Sequence, residues 1–141
     1  MATKAPERLL ADELKSAPSV AELVADRVYP VIAPATAALP FVTWRRSAVQ
    51  REQTLSGPAG MPTVTLQVDM FAETYEAVRD LADRCRATLD GWGGTLGNWI
   101  SVRHVSLIGE SDGFVSLAGG DLPPVYSVSQ TYTVLWQEIS T

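Results

Sequence analysis

The sequence predicts an α+β fold: a mostly antiparallel sheet of about four to five strands, one long helix packed across it, and one or two short N-terminal helices. Polar and apolar residues alternate in extended segments, most clearly over residues 63–70. Apolar residues recur at helical spacing over residues 78–89. The elements follow in the order helix, helix, three extended segments, helix and two strands, which favours a sheet with the long helix on one face.

The composition suits a single domain spanning residues 1–141. The chain has 141 residues, of which 46% are hydrophobic and 19% are charged. This length is enough to bury one hydrophobic core but is small for two independent domains. Its net charge of -5 argues against a phosphate-binding surface. The single cysteine, Cys85, excludes an intramolecular disulfide, and with the single His104 it leaves too few ligands for a typical zinc site. We therefore expect no metal and no cofactor.

The N-terminal segment predicts two short helices and no targeting signal. Leucines at helical spacing and a proline in the first turn predict a helix from Pro6 to Lys15. Ser19 and Glu22 match a capping box, in which hydroxyl and carboxylate satisfy free amides, so a second helix is expected over Val20–Ala25. The charges in this segment interrupt any apolar run, so we expect neither a signal peptide nor a membrane span.

Prolines shape the approach to the first strands. Pro30 and Pro34 exclude a helix and remove backbone donors, which makes residues 28–33 an edge strand or an extended crossing segment. β-branched and aromatic residues predict the next strand over 39–49. A turn is expected over 56–62, before the alternating strand.

The second half of the chain predicts a helix followed by strands. Thr74 is a suitable N-cap for the long helix, and the glycines of residues 90–94 end it. Strands should follow over 99–108 and 125–137. Asp112 and Gly113 could form a tight hairpin turn within the intervening region.

Each motif that suggests catalysis has a simpler structural interpretation. Residues 109–113 match G-x-S-x-G around Ser111, but no helix pattern follows, so the sequence favours a polar turn. The glycines of residues 91–97 follow a helix, whereas a phosphate-binding loop would precede one. Cys85 lies on the apolar helix stripe and is predicted to be core. His104 should alternate with Ile100 and Val102 on a strand as a partly covered structural residue.

The remaining candidates are contact residues. The most basic stretch of this acidic protein, residues 43–52, is either a solvated arm or a surface for an acidic partner. Four tryptophans exceed the needs of a small core, so some are candidate anchors for a partner. The candidate subunit or tube contacts are Arg45, Arg46, Arg51, Glu52, Trp92, Trp99, Asp112 and Phe114.

The order of short motifs resembles a known family. The motifs are "DRVYP" at 26–30, "LPFVTW" at 39–44, "VTLQVDMFA" at 64–72, "LDGW" at 89–92 and "YTVLW" at 132–136. Together they resemble the small tail-completion, or tail terminator, proteins of long-tailed bacteriophages and related prophage or gene-transfer particles. One departure is the loop before the last strand, where Gly119, Gly120, Pro123 and Pro124 replace the acidic loop that many members carry.

The resemblance implies a structural protein without catalytic residues. Such proteins form a six-membered ring that caps the tail tube, stops its polymerisation and joins it to the head-side connector. The implied partners are further copies of the chain, the tail-tube protein and the connector, with DNA only passing through the lumen. The implied location is the tail or neck of a virion assembled in the host cytoplasm.

The resemblance also assigns structural positions. It makes Arg27, Tyr29 and Pro30 the lead-in to the sheet, Pro40 and Phe41 the start of the next strand, and residues 89–91 the helix stop. Two other interpretations of the sequence remain open: a small α+β ligand-binding domain or enzyme that uses His104 near Trp92 and Trp99, and a generic dimeric interaction module.

Overall fold

The computed structural model describes residues 6–34, 36–50, 53–54, 57–58, 63–96, 100–115 and 125–138. The helices of these segments are α1 (Pro6–Ser16), α2 (Pro18–Val24) and α3 (Tyr75–Leu89). The strands are β1 (Val28–Pro30), β2 (Phe41–Gln50), β3 (Gln53–Thr54), β4 (Gly57–Pro58), β5 (Thr63–Ala72), β6 (Gly94–Leu96), β7 (Ile100–Val115) and β8 (Val125–Glu138).

Six strands form one mixed sheet in the order β1-β2-β5-β8-β7-β6. The pair β1–β2 is parallel, and each other pair in this sheet is antiparallel. Strands β3 and β4 form a separate two-stranded ribbon, in which Gln53 pairs with Pro58 and Thr54 with Gly57. Of the turn predicted over 56–62, only Gly57 and Pro58 lie among the described residues. The α+β prediction is confirmed.

Helix α3 packs across one face of the sheet, as its sequence pattern predicts. Thr74 caps it, because the Ala77 amide donates to the Thr74 hydroxyl over 3.1 Å. After the helix, Gly91 adopts a φ of 82°, a conformation that suits glycine. The side chains that α3 buries are Val78, Leu81, Ala82, Cys85 and Leu89.

Strand β5 shows why the sheet has one covered face and one open face. Its residues alternate between buried and half-buried from Thr63 to Ala72, so one row of side chains enters the core and the other lies on the open face. Strand β8 repeats this alternation, with Val128, Tyr132 and Val134 in the core. Helices α1 and α2 close the covered face by contributing Leu10, Leu14, Val20 and Val24.

The capping box predicted for α2 is wrong. The helix begins one residue before Ser19, at Pro18, with Ala17 in the N-cap position and no side-chain cap. Proline is favoured at the first helical position, because its missing N–H has no helical partner to lose. Ser19 therefore lies inside the first turn and cannot serve as the N-cap.

The hairpin turn predicted at Asp112 and Gly113 is also wrong. Both residues lie within β7, which pairs with β8 without interruption from Gly109 to Val115. Register shifts in β7 fall between Val102 and His104 and between Leu107 and Gly109. These β-bulges change the phase of the side chains, which a simple alternation does not anticipate.

The lead-in to the sheet is fixed by backbone contacts. The Arg27 guanidinium donates to the carbonyl of Pro40 over 3.0 Å and to that of Leu23 over 3.3 Å. The Val42 amide donates to the Arg27 carbonyl over 3.0 Å. Arg27 thus joins α2, β1 and the start of β2. In the described segments, the helices are too short or too polar to cross a membrane.

Candidate functional site

Two exposed surfaces lie at one end of the sheet. The strand registers align Phe41 with Phe71, Phe71 with Ser127, and Ser127 with Gly113. These four residues therefore form one row across the sheet. The start of β2, the end of β5, the start of β8 and the end of β7 all meet at this end.

The first surface, which we call the corner groove, lies on the open face beside β1. It has a volume of about 340 Å³, and its lining includes Ile32, Pro34, Phe41, Thr43, Asp69 and Phe71. The rings of Phe41 and Phe71 lie 4.9 Å apart, and Tyr29 meets Phe41 edge-on at 6.1 Å. The groove therefore has an aromatic wall and a polar floor.

A strained segment forms the rim of the corner groove. Val31 adopts a φ of 65°, an unusual conformation for a β-branched residue. The Val31 amide donates to the Trp44 carbonyl over 2.8 Å, and the Ile32 amide donates to the Pro30 carbonyl over 2.7 Å. The side chains of Val31 and Ile32 are 66% and 78% exposed. The backbone thus presents two adjacent apolar side chains to solvent.

A polar network spans the open face next to the groove. The Asp69 carboxylate accepts hydrogen bonds from Gln67 over 3.0 Å and from the Ser129 hydroxyl over 2.5 Å. Gln67 in turn accepts a hydrogen bond from Arg45 over 2.7 Å. These contacts hold the Asp69 carboxylate and the Arg45 guanidinium in fixed positions on neighbouring strands.

The second surface, which we call the arm surface, lies on the helix side of the paired ends of β7 and β8. It consists of Tyr75, Asp112, Phe114 and Tyr126. The Tyr75 hydroxyl donates to Asp112 over 2.9 Å, and Tyr75 and Tyr126 meet edge-on at 6.3 Å. The hydrogen bond to Asp112 raises the pKa of Tyr75 above its usual value. Phe114 pairs with Tyr126 across the strands and is 67% exposed.

A buried network anchors the arm surface to α3. Gln130 is fully buried, and its amide donates to the Ala82 carbonyl over 2.9 Å and to Glu110 over 2.7 Å. The Tyr132 hydroxyl donates to the Gln130 carbonyl over 2.5 Å, and burial raises the pKa of Tyr132. Arg79 completes the connection through a 3.1 Å ion pair with Glu110.

The structure brings some of the predicted contact residues to these surfaces. Arg45 lies on the open face beside the groove, and Asp112 and Phe114 belong to the arm surface. Arg46 is also exposed on β2. Trp92 is half-buried and packs against the core. Three further candidates lie outside the described residues: Arg51, Glu52 and Trp99.

Sequence reasoning missed several residues that build the two surfaces. Ile32 was not singled out, although apolar side chains next to a proline could have suggested an exposed rim. Gln130 interrupts the apolar stripe of β8, and such a polar residue among buried ones signals a satisfied network. The contact between Tyr75 and Asp112 joins residues 37 apart in sequence, so no local pattern indicates it.

Among the described residues, His104 and Trp92 lie on opposite faces of the sheet. His104 is exposed and aligns with Leu135 of β8, whose neighbours Val134 and Trp136 are buried, so His104 lies on the open face. The simple alternation puts His104 on the same face as Val102. This is wrong, because the first bulge of β7 turns His104 to the opposite face. Trp92 packs against the core on the opposite face.

Two further residues have places that do not suit catalysis. Ser111 is exposed within β7, whereas a nucleophile elbow would place it between a strand and a helix. Cys85 is fully buried, and burial raises its pKa to about 12, which keeps the thiol un-ionised. Within the described segments, no group of three His, Cys, Asp or Glu side chains could hold a metal ion.

Comparison with known proteins identifies the family. Residues 8–116 match the family described as "Tail completion protein gp17". The chain belongs to this family. Among solved structures, it resembles a chain described as "Virion of native gene transfer agent (GTA) particle", with a TM-score of 0.72 and 12% sequence identity over 91% of each chain. The comparison with curated proteins gives no match.

Membership of the tail completion family has a direct functional consequence. The family is one of structural proteins of phage tails, so this chain has a structural role in a phage-type tail. The sequence identity to the gene transfer agent chain is low, so that resemblance supports the fold alone. The family suggested by the short motifs in the sequence is therefore confirmed.

Proposed function

We propose that this tail completion protein forms a six-membered ring that caps the tail tube, stops its polymerisation and joins it to the head-side connector. The family match over residues 8–116 is the observation that carries the proposal. In this proposal, residues 1–141 act as one domain and no bond is made or broken at its surface. The protein is assembled in the host cytoplasm and stays in the neck of the finished particle.

The exposed surfaces of the described chain support an assembly role. A subunit of a ring needs surfaces of defined shape for its neighbours, and both the corner groove and the arm surface are exposed and held by hydrogen bonds. The edge strand β1 carries Pro30, which removes a backbone donor and discourages unlimited strand pairing. Closed assembly through side chains fits these features better than open growth along the edge.

The charge of the chain suits the passage of DNA through such a ring. The net charge of -5 gives an acidic ring about -30 in total for six copies, so the phosphate backbone would not adhere to it. DNA then passes through the lumen without being bound, as the proposal requires.

A tube-assembly experiment tests the proposal. Tail-tube protein of the same particle is polymerised with and without this chain, and tube lengths are measured by electron microscopy. We expect shorter tubes with a ring at one end. When the connector protein is then added, it should bind to the ring-bearing end. An unrelated acidic protein of similar size serves as control. Unchanged tube lengths and bare tube ends would contradict the proposal.

A further inference from the structure

The corner groove and the arm surface are exposed at the same end of the sheet but cannot meet within one copy. The groove lies on the open face at β1, β2 and β5, whereas Phe114 lies on the helix face of β7. The order β1-β2-β5-β8-β7-β6 places β8 between β5 and β7. Any contact between the two surfaces must therefore join different copies of the chain.

The two surfaces match in shape. The corner groove is concave, with a volume of about 340 Å³ and an aromatic wall formed by Phe41 and Phe71. Phe114 is a projecting aromatic side chain that is 67% exposed. Aromatic rings gain from edge or offset contact with other rings, so the groove offers Phe114 a suitable environment.

The two surfaces also match in charge and spacing. Thr43 in the groove and Arg45 beside it are two residues apart on the open face of β2. Phe114 and Asp112 are two residues apart on the helix face of β7. Each pair is separated by about 6.7 Å along its strand. When Phe114 occupies the groove over Thr43, Asp112 can lie beside Arg45.

A two-fold contact would match poorly. Groove against groove would leave two concave surfaces unfilled and place two Asp69 carboxylates opposite each other. Arm against arm would bring two Asp112 carboxylates together, each offset only by Arg79 of its own copy at 4.0 Å. A head-to-tail contact instead pairs a projection with a cavity and a carboxylate with a guanidinium. Repeated head-to-tail contacts form a ring when the rotation between copies closes, as the proposed function requires.

The outer edge of β1 is poorly suited to pairing with another strand. Pro30 has no amide hydrogen, and its carbonyl already accepts from the Ile32 amide over 2.7 Å. The Val28 amide donates to the Asp26 carbonyl over 2.8 Å. Since both outward amide positions are bonded or absent, side chains suit contact at this corner better than an added strand, and Phe114 in the groove would make such a contact.

We propose that copies of this chain associate head to tail, with Phe114 of one copy in the corner groove of the next and Asp112 beside Arg45 of that copy. This inference rests on the proposed ring, and it names the surfaces by which neighbouring subunits meet.

Disulfide trapping tests this contact. The variants Ile32→Cys and Tyr126→Cys are mixed under mild oxidation, and the disulfide-linked species are separated on denaturing gels. Tyr126 lies opposite Phe114 on β8, so this thiol reports on the contact and leaves the Phe114 ring in place. The mixed disulfide should form at least about tenfold faster than either homodimer, because a specific contact raises the local thiol concentration. The native Cys85 is buried and should not react.

A matched control uses the paired strand β7. Ile108→Cys places a thiol at an exposed apolar position of β7, where the native side chain is 60% exposed. Mixed with Ile32→Cys, it should react no faster than by random collision. Equal rates for the Tyr126 and Ile108 variants, or faster formation of either homodimer, would overturn the inference.

Charge reversal tests the second half of the contact. Arg45→Glu in the Ile32→Cys chain, or Asp112→Arg in the Tyr126→Cys chain, should slow trapping about two- to fivefold, as loss of an exposed ion pair does. The two reversals together should restore most of the rate. Failure to restore it would remove the Arg45–Asp112 pairing from the inference.

The outcomes separate this inference from the proposed function. If the native chain caps tubes but the mixed disulfide has no advantage, the head-to-tail contact is wrong and the capping role stands. If the mixed disulfide forms rapidly but tubes are not capped, the contact stands and the capping role is wrong.

Discussion

Replacing Gln130 tests the network that fixes the arm surface to α3. In Gln130→Leu, the buried Tyr132 hydroxyl loses its acceptor and Glu110 loses a donor. A buried unsatisfied hydroxyl costs about 1–3 kcal/mol. Glu110 is partly exposed and keeps its ion pair with Arg79, so loss of its hydrogen bond from Gln130 adds only about 1 kcal/mol. We expect the free energy of unfolding to fall by about 2–4 kcal/mol in total.

The double variant gives this prediction its sharpest form. Tyr132→Phe alone should cost about 1 kcal/mol, because the Gln130 carbonyl loses its donor. Adding Tyr132→Phe to Gln130→Leu should instead recover about 1–2 kcal/mol, because the unsatisfied hydroxyl is no longer present. Tyr132→Phe should thus destabilise the native chain but stabilise the Gln130→Leu chain.

Urea unfolding followed by circular dichroism measures these differences. For a chain of this size, each kcal/mol corresponds to roughly 3 °C in Tm, so thermal unfolding provides a second measure. A Gln130→Leu variant as stable as the native chain would contradict the reasoning. So would a double variant that is less stable than Gln130→Leu.

Three further predictions concern other parts of the described fold. Thr74→Ala should lower the free energy of unfolding by about 1 kcal/mol, because α3 loses its N-cap. An unchanged midpoint of urea unfolding would show that Thr74 does not stabilise the helix. Gly91→Ala should lower the free energy of unfolding by about 1–2 kcal/mol, because alanine disfavours the positive φ of this residue. An added Cβ meets nothing within 4 Å, so no steric clash contributes. A variant as stable as the native chain would contradict this backbone cost. Burial raises the pKa of Cys85 from 9.0 to about 12, so the unfolded chain loses this proton first and stability falls by up to about 1.4 kcal/mol per pH unit above pH 9. Cys85→Ala should show a smaller fall in urea unfolding than the native chain over this range.

The sequence predicts those elements whose local pattern agrees with their place in the fold. The alternation of β5 and the stripe, cap and glycine stop of α3 follow from residues close together in the chain. Burial in the folded chain reinforces each of these patterns. The family is also predictable from sequence, because its short motifs lie in β1, β2, β5 and β8 and at the end of α3.

Most errors arise where distant residues decide the local structure. Asp112 and Gly113 favour a turn locally, but pairing with β8 extends β7 through them. The bulge before His104 likewise changes the phase of β7. The capping-box error is instead local, because Pro18 starts α2 one residue before Ser19. The corner groove was not predictable, because it forms only when β1, β2 and β5 lie side by side.

Averaged images of tail-tube ends test the central claim most directly. Tubes polymerised with this chain should carry a six-fold ring at one end, of a mass equal to six copies, and should stop growing there. Tubes that keep growing with bare ends, or a bound species that is not a ring, would contradict the account.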